Sequence, residues 1–151
     1  MSRTHTYDVH VEFGDCDPAQ IVYFPNFYRW MDAAGRNFFV SCGVPPWTET
    51  ERTLGIIGTP LVDSEARFLH PATYGDRLRI TSEVTEWRRQ SFVMRHQIRR
   101  DNDLIVECNE VRVFARRVDG EARRIRAVPI PSELRALCEA PVASDGIEVR
   151  G

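Results

Sequence analysis

The chain has 151 residues, 42% of them hydrophobic and 28% charged, and a formal net charge of -2. That is the size and make-up of one globular domain able to bury a real core, and not of a disordered chain. The near-neutral balance argues against nucleic acid as a partner, and no apolar run approaches the ~20 residues of a membrane helix.

The first strand is expected at Tyr7 to Phe13, where Tyr7, Val9, Val11 and Phe13 alternate with polar residues. Gly14 breaks the alternation, and Asp15 to Phe24 reads as a loop leading into the main helix. Pro25 suits a first helical position, because the N–H it lacks would be unpaired there. Phe27, Trp30, Met31, Ala34 and Phe38 follow at helical spacing, and Gly43 with Pro45-Pro46 ends the run. A helix from Pro25 to Cys42 would be about 27 Å long and apolar around much of its girth, which suits a wrapped helix.

Thr48 to Gly58 reads as loop or irregular turn. Strands are expected at Leu61 to Leu69, at Arg77 to Trp87, around Phe92 to Ile98, and at Leu104 to Ala115. In the last of these Val111 and Val113 fall out of phase with Leu104 and Val106, the mark of a bulge or a shifted register. Asn102 and Asp119-Gly120 are turn signals, Arg124 to Val128 is a final strand, and Pro131 to Cys138 a short helix. A single domain over 1–140 and a mobile tail over 141–151 complete the division. One helix followed by about five strands gives an α+β architecture, a sheet wrapped round a helix, with an edge that a second subunit can cover.

Cys16, Cys42, Cys108 and Cys138 form no CxxC pair, and His5, His10, His70 and His96 show neither HxH nor HExxH spacing. Free thiols are therefore expected and no metal. Met1 to His10 is polar and lacks the apolar core of a signal peptide, so the chain reads as cytoplasmic.

The informative stretch is Gly14-Asp15-Cys16-Asp17-Pro18-Ala19-Gln20-Ile21-Val22-Tyr23-Phe24-Pro25. It sets two carboxylates in a loop just before a helix N-terminus, whose unpaired N–H groups can hold an oxyanion. A carboxylate nearby can attack a carbonyl or activate water against it, which is acyl transfer. Asp15 and Asp17 suit turn capping equally well, and composition leaves both readings open.

This stretch resembles the signature of the 4-hydroxybenzoyl-CoA thioesterase family, D-x-D-x-x-G-x-V followed by an aromatic residue. The likeness continues through Arg29-Trp30, Asp32-Ala33-Ala34, Pro45-Pro46-Trp47, Gly58-Thr59-Pro60, Glu86-Trp87-Arg88-Arg89, Ser91-Phe92-Val93 and Arg95-His96, over roughly residues 7 to 138. It implies a hotdog fold, a long central helix wrapped by a curved antiparallel sheet of five to six strands. It also implies hydrolysis of an aroyl- or acyl-CoA thioester without a cofactor, CoA being part of the substrate.

By the resemblance Asp17 is the catalytic carboxylate, Asp15 is structural, and the backbone N–H of Phe24 polarises the thioester carbonyl. Arg88, Arg89 and Ser91 take the CoA phosphates, a role guanidinium forks suit; without the family they read as a solvated hairpin end. Thr59, Trp47 and Asp32 border the acyl pocket, although Asp32 can equally pair with Arg29 or Arg36 on its own helix and Trp47 can be core. His70 and His96 read as structural. The family usually has glycine where this chain has Gln20, so a left-handed turn there would be strained.

The resemblance further implies a homodimer or homotetramer with each site built from two chains. The rival readings are a short-chain acyl-CoA or acyl-carrier-protein thioesterase using the same aspartate, and a non-catalytic acyl-CoA-binding module. Hotdog hydratases need an Asp/His or His/Glu pair, and no histidine follows Asp17 within a dozen residues.

Overall fold

The structure, a computed structural model, describes residues 3–119 and 121–141. Strand β1 (Thr4–His10) is followed by a 3-10 turn, helix α1 (Pro25–Ser41) and helix α2 (Trp47–Leu54). Then come β2 (Leu61–Phe68), β3 (Arg77–Trp87), β4 (Ser91–Arg100), β5 (Asp103–Val118), β6 (Glu121–Val128) and α3 (Ser132–Glu139). The antiparallel sheet runs β1-β3-β4-β5-β2, with β6 pairing the last residues of β5. This is the α+β arrangement expected of the sequence, one long helix held by a six-stranded sheet.

Period-two alternation fixes which face of the sheet meets α1. Leu78, Ile80, Ser82 and Val84 of β3 point inward, as do Phe92, Met94, His96 and Ile98 of β4. The helix divides its apolar surface between two clusters. Its N-terminal half, with Phe27, Trp30, Met31 and Ala34, packs with Val11, Leu78, Ile98 and Val106. Its C-terminal half, with Phe38 and Phe39, packs with Val84, Phe92, Met94 and Phe114 and reaches Trp87. Each fully buried Val, Leu, Ile, Phe or Met side chain among them contributes roughly 1.5–3 kcal/mol. The start of α1 thus lies toward the Leu78/Ile98 end of the β3–β4 hairpin, and its end toward the Trp87–Ser91 turn.

The structure differs from the sequence reading in places. Strand β1 stops at His10, and Phe13 is 80% exposed in a 3-10 turn instead of closing the strand. Asp15 drives that turn: its carboxylate accepts the Glu12 N–H at 2.8 Å and its own N–H donates to the Glu12 carbonyl at 3.0 Å. The segment expected to be loop from Thr48 holds α2 instead. Three threonines and a tryptophan are weak helix formers that hid it. Gly55, at φ 74°, ends it, and the buried Thr50 hydroxyl bonds the carbonyl of Ile56 at 2.8 Å. In β5 the phase break falls at Ile105, where the pairing with β4 skips a residue and Ile105 and Val106 are both buried. Val111 and Val113 are simply on the outer phase. The β5–β6 turn carries Asp119 at φ 47°, while Gly120 and all but the first residue of the tail expected over 141–151 lie outside the described residues.

Candidate active site

The loop before α1 is a short antiparallel ribbon that folds back on itself. Cys16 bridges to Val22, and the Tyr23 N–H donates to the Asp15 carbonyl at 2.9 Å. Asp15 is the frame of this ribbon: its carboxylate also meets Arg29 at 3.3 Å, and its carbonyl accepts from the Asn26 side chain at 2.9 Å. The tip is the turn Asp17 to Gln20. The Gln20 N–H donates to the Asp17 carbonyl at 2.8 Å, and Asp17 Oδ1 accepts the Ala19 N–H at 2.8 Å. This leaves Asp17 Oδ2 without a partner among the described residues.

Gln20 adopts φ 67°, the left-handed region that its residue type disfavours. Outside bonds pin it there. The Thr73 hydroxyl donates to the Gln20 carbonyl at 2.7 Å and the Val22 N–H donates to the Ala72 carbonyl at 2.8 Å. At the helix start, the Asn26 N–H reaches the Tyr23 carbonyl and the Phe27 N–H the Phe24 carbonyl. Pro25 has no N–H, and the N–H of Phe24 donates to no acceptor among the described residues. It is therefore the free donor at the positive end of α1.

A second group of residues gathers two turns along α1. Asp32, Trp47 and Thr59 line one cavity of about 370 Å³, together with Gly35, Met94 and Arg112. Gly35 makes the floor: a Cβ there would sit 3.2 Å from Met94 Sδ and 3.5 Å from the His96 ring. Trp47 is half-buried and serves core and cavity at once, touching Phe39 and Phe114 edge-on. Asp32 pairs with neither Arg29 nor Arg36. Its partner is Arg112 of β5, at 3.0 Å, because Arg29 is turned to Asp15.

Arg112 belongs to a chain of buried polar groups that sequence reasoning missed. Its Nε donates to Glu110 Oε2 at 2.6 Å, and its Nη1 donates to the Thr59 carbonyl at 2.8 Å. Glu110 Oε1 in turn lies 3.2 Å from His96 Nε2, an approach off the line of an aligned hydrogen bond, while His96 Nδ1 is 2.7 Å from the Ser82 hydroxyl. Burial works to raise the Glu110 pKa, but the His96 ring and the Arg112 guanidinium outweigh it and hold the carboxyl below its ordinary value. For Arg112 burial pulls down, and Glu110 and Asp32 win, raising it. The available signal was a charged residue on the inward phase of β5, between Cys108 and Phe114, facing a histidine on the inward phase of β4.

The third group, Arg88, Arg89 and Ser91, is the turn between β3 and β4, closed by the Arg88 N–H on the Ser91 carbonyl at 2.8 Å. Arg88 is partly neutralised by Glu86 at 3.1 Å, and Arg89 is exposed with no ion partner among the described residues. The structure therefore brings Asp32, Trp47 and Thr59 together. It leaves Asp17 and Phe24 at one end of α1 and the arginine turn at the other, about 25 Å apart along a helix of 17 residues. Among the described residues no group of three or more His, Cys, Asp or Glu side chains could hold a metal, and all four cysteines are free. No helix of the described residues is long and apolar enough to cross a membrane.

The sequence profile of the thioesterase-like superfamily matches residues 11–137, most of the chain. The chain belongs to that superfamily. Among its thioesterase-like relatives, the 4-hydroxybenzoyl-CoA thioesterase of Pseudomonas sp. strain CBS-3 is 48% identical over 143 residues, covering 91% of this chain and 99% of that one. An aspartate-to-asparagine mutant of a 4-hydroxybenzoyl-CoA thioesterase, solved in complex with 4-hydroxybenzoyl-CoA, superposes with a TM-score of 0.84 at 44% identity, covering 91% and 99% of the two chains. The gentisyl-coenzyme A thioesterase BH1999 superposes with a TM-score of 0.74 at 32% identity, covering 87% and 99%. The thioesterase-like fold expected from the motif, the hotdog, is the fold observed.

Proposed function

We infer that this protein hydrolyses the thioester of an aroyl-CoA of the 4-hydroxybenzoyl type, releasing the free acid and CoA. The observation that carries this is 48% identity across essentially the whole of a relative named for that reaction. The local geometry supports it, with a carboxylate oxygen on Asp17 and an N–H on Phe24 that have no partner among the described residues, both on one short ribbon.

In this reading the Phe24 N–H, backed by the α1 dipole, receives the thioester oxygen as negative charge builds on it. Asp17 Oδ2 either attacks the carbonyl carbon, expelling CoA thiolate and leaving a mixed anhydride that water opens, or takes a proton from the attacking water. That a relative was solved with substrate as an aspartate-to-asparagine mutant supports a carboxylate at the chemistry. Arg88, Arg89 and Ser91 take the CoA phosphates, and Asp32, Trp47 and Thr59 receive the aroyl group. No cofactor is required.

The separation of these groups along α1 supports a site completed by a second chain. Among the described residues strand β2 has no partner on one side and exposes Leu61, Val62 and Phe68, the edge along which a homodimer would pair, and dimers would associate into a tetramer. Free thiols and a CoA substrate fit the cytoplasm.

Thiol release from a panel of aroyl- and acyl-CoA thioesters and an acyl-carrier-protein thioester tests the substrate class. Fastest turnover on hydroxybenzoyl-CoA supports the reading, and preference for a short acyl chain or for the carrier protein overturns it. Asp17→Asn is expected to lose most of kcat, on the order of a hundredfold or more, with a modest change in substrate affinity. Wild-type turnover in that variant removes Asp17 from the mechanism.

A further inference from the structure

The cavity bounded by Asp32, Trp47 and Thr59 owes its shape to a buried ion pair, of which Arg112 reaches the cavity wall and Glu110 stands behind it. Arg112 has a side chain only 11% exposed, and Glu110 one only 4% exposed. A buried ion pair is weak evidence for stability, because removing two charges from water costs as much as their attraction returns, and apolar residues of equal volume serve a core at least as well. What this pair does that apolar residues cannot is aim hydrogen bonds.

All three faces of the Arg112 guanidinium are occupied. Nε is held by Glu110, Nη1 grips the Thr59 carbonyl on one cavity wall, and Nη2 grips Asp32 Oδ1 on the other. Asp32 stands on a helix surface with 73% of its side chain exposed. Left alone it would sample several rotamers in water. Tied through one oxygen, it presents Oδ2, for which the described residues offer no partner, in a fixed direction. An ionised carboxylate oxygen held that way is an acceptor waiting for a donor. Glu110 cannot drift either, since the His96 ring lies 3.2 Å behind it and Ser82 backs the ring.

We propose that Arg112, locked by Glu110, is a positioning residue that aims Asp32 at the ring end of the substrate and so sets the preference for an aroyl group bearing a hydrogen-bond donor. The proposal rests on the aroyl-CoA reading above and adds to it the residues that make the pocket selective. It requires the planar three-way fork of arginine, and lysine, a point charge on a flexible stem, cannot replace it.

The test compares 4-hydroxybenzoyl-CoA with benzoyl-CoA, which lacks only the ring hydroxyl. Wild type, Arg112→Lys, Glu110→Gln, Asp32→Ala and the Asp32→Ala/Arg112→Lys double variant are each assayed for kcat and KM on both thioesters, with thermal denaturation to confirm folding. Arg112→Lys and Glu110→Gln keep the side-chain volume and are chosen to fold. Arg112→Lys is expected to lower the hydroxybenzoyl-to-benzoyl ratio of kcat/KM roughly tenfold, the worth of one charged hydrogen bond, mostly through KM. Glu110→Gln is expected to lower it less, and in the Asp32→Ala background Arg112→Lys should change the ratio no further.

Equal losses on both substrates would show a merely structural role and overturn the proposal, as would a ratio that still responds to Arg112 once Asp32 is gone. Wild-type thiol release reports separately on the aroyl-CoA reading: turnover with an unmoved ratio overturns the positioning role alone, and failure to cleave either thioester overturns both.

Discussion

Gln20 sits at φ 67° where its side chain gains nothing, and this makes a measurable liability. An L-residue with a Cβ in the left-handed region costs roughly 1–2 kcal/mol. The bonds that hold the turn, from the Gln20 N–H to Asp17 and from Thr73 to the Gln20 carbonyl, are made by the Gln20 backbone and survive any substitution with an N–H. The side chain is exposed, with no hydrogen bond among the described residues, so its removal loses little. Against the relief stands the extra freedom glycine has when unfolded, about 0.4–1 kcal/mol. Gln20→Gly should therefore gain up to about 1.5 kcal/mol. Gln20→Ala, which keeps the Cβ and loses only the amide, should gain nothing. Urea unfolding of the three proteins at one fixed protein concentration reads the difference, each kcal/mol of which amounts to about 2–4 °C in Tm for a domain of this size. If the alanine and glycine variants prove equally stable, the left-handed strain is not where the backbone geometry puts it. The same experiment bears on catalysis, since Asp17 opens this turn and its Oδ1 is fixed within it by Ala19.

Other consequences are as direct. Thr50→Val, which keeps shape but leaves the Ile56 carbonyl without its buried hydroxyl donor, should destabilise by about 1–3 kcal/mol, measured by urea midpoint. Glu110 has a carboxyl pKa held below its unfolded value, so its stabilising effect is complete above an unfolded value of about 4.3 and is lost as pH falls through the folded one. The stability gap between wild type and Glu110→Gln should hold from pH 7 to about 5 and close in more acid solution; a gap that stays constant to pH 3 contradicts this. Replacing Arg88 and Arg89 together with alanine should raise KM for a CoA thioester several-fold with little change in kcat. An unchanged KM at physiological salt would remove the turn from CoA binding.

The architecture was legible where one periodicity dominated. The long helix from Pro25 was bounded to within a residue, and Arg77 to Trp87 matched β3 at both ends, because each has a clean apolar repeat and a proline, glycine or charge at its limits. Helix α2 was not, since Thr48, Thr50 and Thr53 belong to residue types that read as loop or strand until Thr50 is seen bonding around the end of its own helix. Asp15 and Asp17 were separable by resemblance only. The structure distinguishes them physically, because Asp15 spends both carboxylate oxygens on Glu12 and Arg29 and Asp17 spends one. The Glu110–Arg112 pair stayed hidden for a further reason. Its partners, Thr59, Asp32 and His96, are drawn from a loop, a helix and another strand, and no local pattern announces such a junction.

Gly35 has an effect that reaches past packing. Because the helix shows no side chain there, Met94 lies level with the bottom of the hollow beside Asp32 and Trp47. A methyl group at that position would sit 3.2 Å from the thioether sulfur, closer than ordinary contact, so the sulfur would have to shift and the floor of the hollow with it. Position 35 thus acts as a depth gauge. In a lineage descended from this chain, an exchange of glycine for alanine would narrow the range of acids the protein accepts before it touched any group that does chemistry.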